Sequence, residues 1–438
     1  MNKKQFLTNT KWIILGKVFQ ISISLIIGMI TARYLGPSNF GIINYTSSFI
    51  AFFTSICTLG LNGIIVKEIM DNPDIEGTIL GTSIGMRILS SILSSISILF
   101  IINIINSGEE QFLIVGALQV ISLLFQSFDI INYWYQAKLM SKYSAIIQSV
   151  GYLAVTIYRI LLLIQGKSVE WFAFCTSLDM IVNSILLLVS YYKNGGQKLT
   201  FSFEKAKYML NNSYHFILSG LMVSIYGQMD KIMIGQMIST KEVGFYSTAT
   251  AISGMWTFIL LAIIDSSRPI IIDAKNQNDS LYEKRIKQLY SVIIWLSFIV
   301  SILITIFARP IVTILYGEDF IGTIQPLQIV TWSTLFSYLG VARGIWIVCE
   351  SKQRYVKYLT FSGAISNLIL NLILIPTLGI SGAALATLIT QIITNFIMPL
   401  LINDIRINSI YIIDAFLLKG LIDKKYIVNK IINKRQYM

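Results

Sequence analysis

Long apolar runs, each about the length of a membrane crossing, follow one another along nearly the whole chain. A helix needs about 20 mostly apolar residues to cross the hydrocarbon core. Twelve segments meet that length: residues 12–34, 42–66, 79–105, 111–135, 143–165, 169–192, 214–236, 243–265, 288–315, 324–349, 356–376 and 380–403. The runs are long and rich in Leu and Ile, unlike the ~10-residue alternating segments of a membrane β-barrel. The pattern therefore predicts an all-α polytopic membrane protein of twelve transmembrane helices. Lysines precede the first run, as in a signal peptide. That run is too long for a signal h-region and no small-residue cleavage site follows it, so it is expected to remain as the first span.

Polar residues inside these spans recur at helical spacing. Span three carries Ser83, Arg87, Ser90, Ser94 and Ser97, and span four carries Gln119, Ser122, Gln126, Asp129, Tyr133 and Gln136. Span one offers Lys17, Gln20, Ser24, Gly28 and Thr31, and span seven offers Gly220, Ser224, Gly227 and Lys231. Residues three, four and seven apart share a helix face, so each of these spans has one polar edge. Such an edge lines a wet cavity or, where it is only serine and glycine, lets helices pack closely. A charge on the same stripe favours the cavity.

The longest connection, 193–213, separates six spans from six. It predicts an N-lobe over residues 1–195, a cytoplasmic linker over 196–213, a C-lobe over 214–404 and a basic cytoplasmic tail over 405–438. The tail's apolar stretch is interrupted at Asp414 and Lys419, too early for a thirteenth span, which points to an amphipathic segment at the membrane face. The halves read as repeats. "RYLGPSNFGIINYTS" joins spans one and two, "GQMISTKEVGFYSTA" joins spans seven and eight, and Gly41 aligns with Gly244. A parallel duplication of this kind places two lobes about an axis along the membrane normal, with a pathway between them.

Composition agrees: 55% of residues are hydrophobic, 13% are charged and mean hydropathy is +0.69, against about a quarter charged in soluble domains. The net charge of +12 does not call for nucleic acid. With the N-terminus inside, lysines and arginines concentrate in cytoplasmic segments, among them Lys138, Lys193, Lys284 and Arg354, as the positive-inside rule requires. The C-terminus is then cytoplasmic too, and the charge faces the anionic inner leaflet. Cys57, Cys175 and Cys349 fall within spans at unrelated spacings, and His215 is the only histidine, so neither a metal site nor a disulfide framework is expected. The one hint of a nucleotide loop, at 165–168, has Leu161 where its first glycine should stand. Energy must come from a gradient or from the cargo's own concentration difference.

Charged side chains at a span centre cost about 2.5–3.5 kcal/mol each on insertion scales and mark functional sites. The in-span cations Lys17, Arg87, Arg159, Lys231 and Arg343 lie at different depths and suit an anionic cargo such as a diphosphate. The carboxylates Asp129, Asp179 and Asp230 are the candidates for ion coupling. Asp230 and Lys231 are neighbours and point about 100° apart, so Lys231 continues the polar stripe while Asp230 is left to a neighbouring helix or to coupling.

"ARYLGPSNFGIINY", "DKIMIGQ", "VGFYSTAT", "YGEDF" and "NLILNLILIPTLGISGAALAT" resemble the oligosaccharide flippases of polysaccharide and O-antigen synthesis, over residues 5–404. These belong to the multidrug/oligosaccharidyl-lipid/polysaccharide exporter superfamily. In the last motif Asn367, Asn371, Pro376, Gly379 and Gly382 join spans eleven and twelve, with Pro376 able to end a helix and the glycines permitting a tight turn. The resemblance implies a MATE-like fold and a transporter in the bacterial cytoplasmic membrane, with no cofactor and with a proton or sodium gradient as drive. The implied cargo is an undecaprenyl-diphosphate-linked oligosaccharide, and the implied partners are membrane lipids and other polysaccharide-assembly proteins. A multidrug cation antiporter of the same superfamily would favour acidic cavity residues. A polyprenol-dependent glycosyltransferase would place acidic residues in an early external loop, and "YLGPSNFG" has none. A polymerase would need a large external loop, and the longest here is 310–323.

Overall fold

The computed structural model describes residues 3–106 and 109–418, with side chains from residue 23 onward. Among the described residues every regular element is helical. Of the described helices, eight are long and apolar enough to cross a membrane, and a pair bent by 41° makes nine if it is counted as one crossing. The protein is therefore a multi-pass membrane protein. The twelve expected spans fall on helices but not one to one: the first two share one kinked helix, and several others are too polar or too interrupted to qualify singly. Two compact units divide the chain: Met1–Phe245 with Leu315–Phe320, and Tyr246–Ile314 with Ile321–Met438.

In the first unit, α1 (Lys3–Cys57) joins the first two expected spans. A straight helix of that length would measure ~80 Å, more than twice the ~30 Å hydrocarbon core. Its break lies at Gly36 (φ 70°, ψ 169°), just before Pro37. A second break follows Cys57, then α2 (Ile65–Asp71) and α3 (Glu76–Ile105). Span four is α4 (Glu110–Gln126), a 3-10 turn over Ser127–Ile130 and α5 (Ile131–Ala137). Then come α6 (Ser141–Ile164), α7 (Val169–Lys193) and α8 (Phe203–Met237). On α3, Ser83, Arg87 and Ser94 of the expected polar stripe are buried and Ser90 and Ser97 half-buried, whereas Leu89, Leu93, Ile96 and Phe100 are exposed at three- and four-residue spacing. That exposed stripe is the face fit for lipid.

The segment between α7 and α8 is an extended strap laid on α3. Gln197 Oε1 accepts from the Gly77 amide at 3.0 Å, and the amides of Thr200 and Ser202 donate to Gly77 O and Thr82 Oγ1 at 3.4 and 3.0 Å. Gly77 and Gly81 make room for it: a Cβ on either would overlap the carbonyls of Lys198 and Thr200. Lys205, at the start of α8, closes the strap with a 2.8 Å ion pair to Glu68.

From there α8 packs along the second half of α1, which is why it lies within the first unit. Ser55 Oγ donates to Gly220 O at 3.0 Å and pairs with Ser224 Oγ at 2.5 Å. Farther along, a Cβ on Gly41 would overlap the Thr240 carbonyl, and one on Gly244 would overlap the Pro37 carbonyl. The two glycines aligned by the repeat thus meet reciprocally. Phe320, fully buried, stands between the rings of Phe40 and Phe245 at 6.4 and 6.2 Å.

The chain passes into the second unit within α9 (Thr240–Gly254), which bends into α10 (Thr257–Gln277). The next helices are α11 (Asp279–Ile306), the short α12 (Ala308–Leu315) and α13 (Ile324–Val330), α14 (Ser333–Cys349) and α15 (Val356–Leu378). After them come α16 (Ile380–Ile392), a π-helical turn over Ile393–Ile397, α17 (Met398–Leu401) and α18 (Arg406–Phe416). Pro376 does not end α15, which runs on to Leu378. The chain turns instead at Gly379, where φ is 60°, and Gly382 packs against the Leu374 carbonyl. A proline in the last turn is accommodated because the helix has little left to lose beyond it.

The described part of the tail, α18, turns its polar side inward. Asn408 Nδ2 donates to Tyr290 OH at 2.6 Å, Ser291 Oγ donates to Ala415 O at 2.9 Å, and Lys287 pairs with Asp414 at 2.8 Å. Ile407, Ile410, Ile413 and Phe416 are exposed. An apolar outer face on a helix held by polar contacts is the arrangement suited to lipid rather than water. The rest of the tail, from Lys419, lies outside the described residues.

Candidate functional site

Within the first unit, four of the expected in-span charges, each on a different element, lie within electrostatic reach of a neighbour in the group, with no ion pair of 4 Å or less between them among the described residues. Arg87 extends from α3, Asp129 from the 3-10 turn inside span four, Asp179 from α7 and Arg159 from α6. Asp129 lies within the field of both Arg87 and Asp179, and Arg159 acts on Asp179 and Cys175. Their order, cation, anion, anion, cation, runs from α3 to α6; Arg87 is buried and the other three are half-buried.

Local structure sets each member. The helix of span four tightens to 3-10 form at Ser127–Ile130, the turn that carries Asp129. Ser127 lies 3.4 Å from Ser91 on α3, and Ser184 Oγ donates to Phe125 O at 2.6 Å, so the turn is held from two sides. Asn183, one turn beyond Asp179, donates to its Oδ1 at 3.0 Å. Tyr133 lies within the field of Arg87 and Asp129.

Arg87 is only 2% exposed, so it is not spread on an open wall. Its Nη2 donates to Asn62 Oδ1, and its Nε is buried without a partner. Asn62 itself is exposed, in a 3-10 turn (Leu61–Gly63) that interrupts span two. Helical periodicity alone does not reveal this residue. The signal in the sequence is "TLGLNG" at 58–63, two glycines and an asparagine inside an apolar run.

On α8, Asp230 is buried and Lys231 half-buried. Each lies in the other's field, and Tyr226, one turn earlier, lies in that of Asp230. The side chain of Lys17 lies outside the described residues.

Arg343 belongs to the second unit and does not join this group. It is 1% exposed, and its Nη2 donates to Asn395 O and Oδ1 at 2.9 and 2.8 Å. Asn395 sits in the π-helical turn and donates from Nδ2 to Gln391 Oε1 at 2.7 Å. A charge the sequence reading did not rank also lies in this unit: Arg268 on α10 pairs with Asp265 at 3.3 Å, with both side chains more than half exposed.

Comparison with known proteins places this geometry in context. A family model described as "Polysaccharide biosynthesis protein" matches residues 6–275. The probable low-salt glycan biosynthesis flippase Agl15 of Haloferax volcanii is 26% identical over 190 residues, which make up 42% of this chain and 40% of that protein. The match thus spans well under half of that relative. Among solved structures, the lipid II flippase MurJ in an inward closed conformation superposes with a TM-score of 0.71 at 16% identity, over 92% of this chain and 91% of that one. An inward-facing multidrug resistance MATE family transporter of the MOP superfamily gives 0.64 at 15%, over 92% and 93%. These likenesses show the fold, an all-helical transporter fold shared by MATE proteins and MurJ.

Proposed function

Because this chain belongs to the polysaccharide biosynthesis protein family, we propose that it is a flippase for undecaprenyl-diphosphate-linked oligosaccharide repeat units. It acts in the bacterial cytoplasmic membrane, with both termini cytoplasmic, and serves the synthesis of O-antigen, capsule or exopolysaccharide. The observation that carries this reading is the chain of charges Arg87, Asp129, Asp179 and Arg159, drawn from four membrane helices of one unit. Intramembrane ionisable residues mark substrate and ion pathways. Arginine is the side chain best fitted to phosphate oxygens, through its planar fork of donors.

In this reading the two carboxylates couple transport to a gradient. Two carboxylates in each other's field favour uptake of one cation, either a proton or a sodium ion. Cation uptake at Asp129 and Asp179 weakens their hold on Arg87 and Arg159, and the arginines become available to a diphosphate. The sugars follow the polar surface and the polyprenyl chain stays in the bilayer. Alternating access then follows from a change in which partner the arginines engage.

The experiment is reconstitution of the purified chain into vesicles with a labelled undecaprenyl-diphosphate oligosaccharide. Protein-dependent movement between leaflets, faster with an imposed proton or sodium gradient, is the expected result. No movement in protein-containing vesicles, together with gradient-driven efflux of organic cations, would replace this reading with that of a drug antiporter.

A further inference from the structure

The break between α1 and α2 places an asparagine against the buried arginine, and this arrangement holds backbone strain. Leu59 has φ 52° and Gly60 φ 63°. Glycine adopts that region freely, but a leucine there is sterically strained. Strained residues of this kind persist only where their surroundings hold them, and they cluster at binding sites. Here Leu61 is fully buried in the core with Ile65, Ile79 and Ile130, while the next residue, Asn62, is exposed. Asn62 lies just beyond Cys57, where the apolar span ends, and is open to a ligand.

The hydrogen bond to Arg87 also fixes which way the amide points. A guanidinium has donors only, so the atom facing it must be Oδ1. The Asn62 NH2 group is consequently turned away from Arg87, with no partner among the described residues. Two amide hydrogens at the surface thus sit beside a buried guanidinium whose Nε is unsatisfied.

We propose that Asn62 is a ligand-binding residue whose amide, oriented by Arg87, donates hydrogen bonds to a phosphoryl oxygen of the transported lipid's diphosphate. The arginine supplies the charge and the asparagine the outer contact. This inference rests on the flippase reading above for the source of the phosphoryl group. A bilayer phospholipid headgroup offers the same chemistry, so the test separates the two.

The experiment measures binding to the purified full chain by calorimetry, with farnesyl diphosphate as a short prenyl diphosphate and phosphatidylglycerol as the bilayer headgroup. Asn62→Ala should weaken farnesyl diphosphate binding about tenfold, the worth of a hydrogen bond to a charged group. Asn62→Asp should weaken it further, because its carboxylate pairs with Arg87 and repels the anion. Asn62→Asp keeps an acceptor for Arg87 and should melt near the unaltered protein, whereas Asn62→Ala removes the acceptor of a buried guanidinium and should melt lower. If Arg87→Gln loses binding while both Asn62 variants retain it, the asparagine has no such role and the flippase reading stands. If Arg87→Gln also binds normally, or the unaltered chain does not bind at all, the anion site itself is wrong. Dependence of phosphatidylglycerol binding alone on Asn62 would reassign the residue to a bilayer lipid.

Discussion

Asn395 accepts two hydrogen bonds from one nitrogen of Arg343, through its backbone carbonyl at 2.9 Å and its side-chain oxygen at 2.8 Å. The π-helical turn makes this double acceptance available, because it widens the backbone at the residue whose side chain must also reach the arginine. Arg343 thereby ties α14 to the last long span. Asn395→Ala should destabilise the protein by about 1–3 kcal/mol, since a buried charged donor loses an acceptor. Thermal melting of the purified variant checks this. Arg343→Met should melt close to the unaltered protein, because removing a buried charge together with its need for partners is often neutral.

Arg87 lies within electrostatic reach of Asp129, and Arg159 within reach of Asp179. Arg87→Gln and Arg159→Gln should each lower transport in vesicles at least ~tenfold, the scale of a lost charge-assisted contact. Membrane insertion should be unchanged. Lysine at either position should recover only part of the activity, since it lacks the planar fork. Transport at the original rate in both glutamine variants would remove these residues from the mechanism.

Asp129 and Asp179 act as one site in the coupling proposed above. Asp129→Asn and Asp179→Asn should therefore give the same phenotype: movement of substrate down its own gradient survives, and stimulation by an imposed proton or sodium gradient disappears. Full retention of gradient stimulation in one variant would assign coupling to the other carboxylate alone.

The strap on α3 depends on missing side chains at Gly77 and Gly81. Gly81→Leu should lift residues 197–202 from the helix, seen as faster trypsin cleavage after Lys198 and a lower melting temperature. The three lost hydrogen bonds alone amount to about 1.5–4.5 kcal/mol. Unchanged cleavage would mean that the strap can shift along α3 without loosening.

Much of this was legible before the structure. The apolar runs gave the helices, and the polar stripe of span three predicted which face of α3 would be inside, because burial repeats with the helix itself. The charges of span four, five and six could be named from hydropathy alone. What periodicity does not reveal is who meets whom. Asn62 reaches Arg87 only because Leu59 and Gly60 take left-handed conformations, and Asn395 reaches Arg343 only through a π-turn. Both irregularities depend on tertiary packing, and no periodic pattern encodes them. The spacing of Gly77, Gly81 and Gly85 likewise reads as a helix–helix contact, yet its partner is an extended chain.

Gly41 and Gly244 occupy matching places in two similar stretches of sequence, and each forms the floor on which the backbone beside the other rests. Neither stretch can therefore drift alone: a methyl group gained at one glycine must be answered by a displaced carbonyl next to the other.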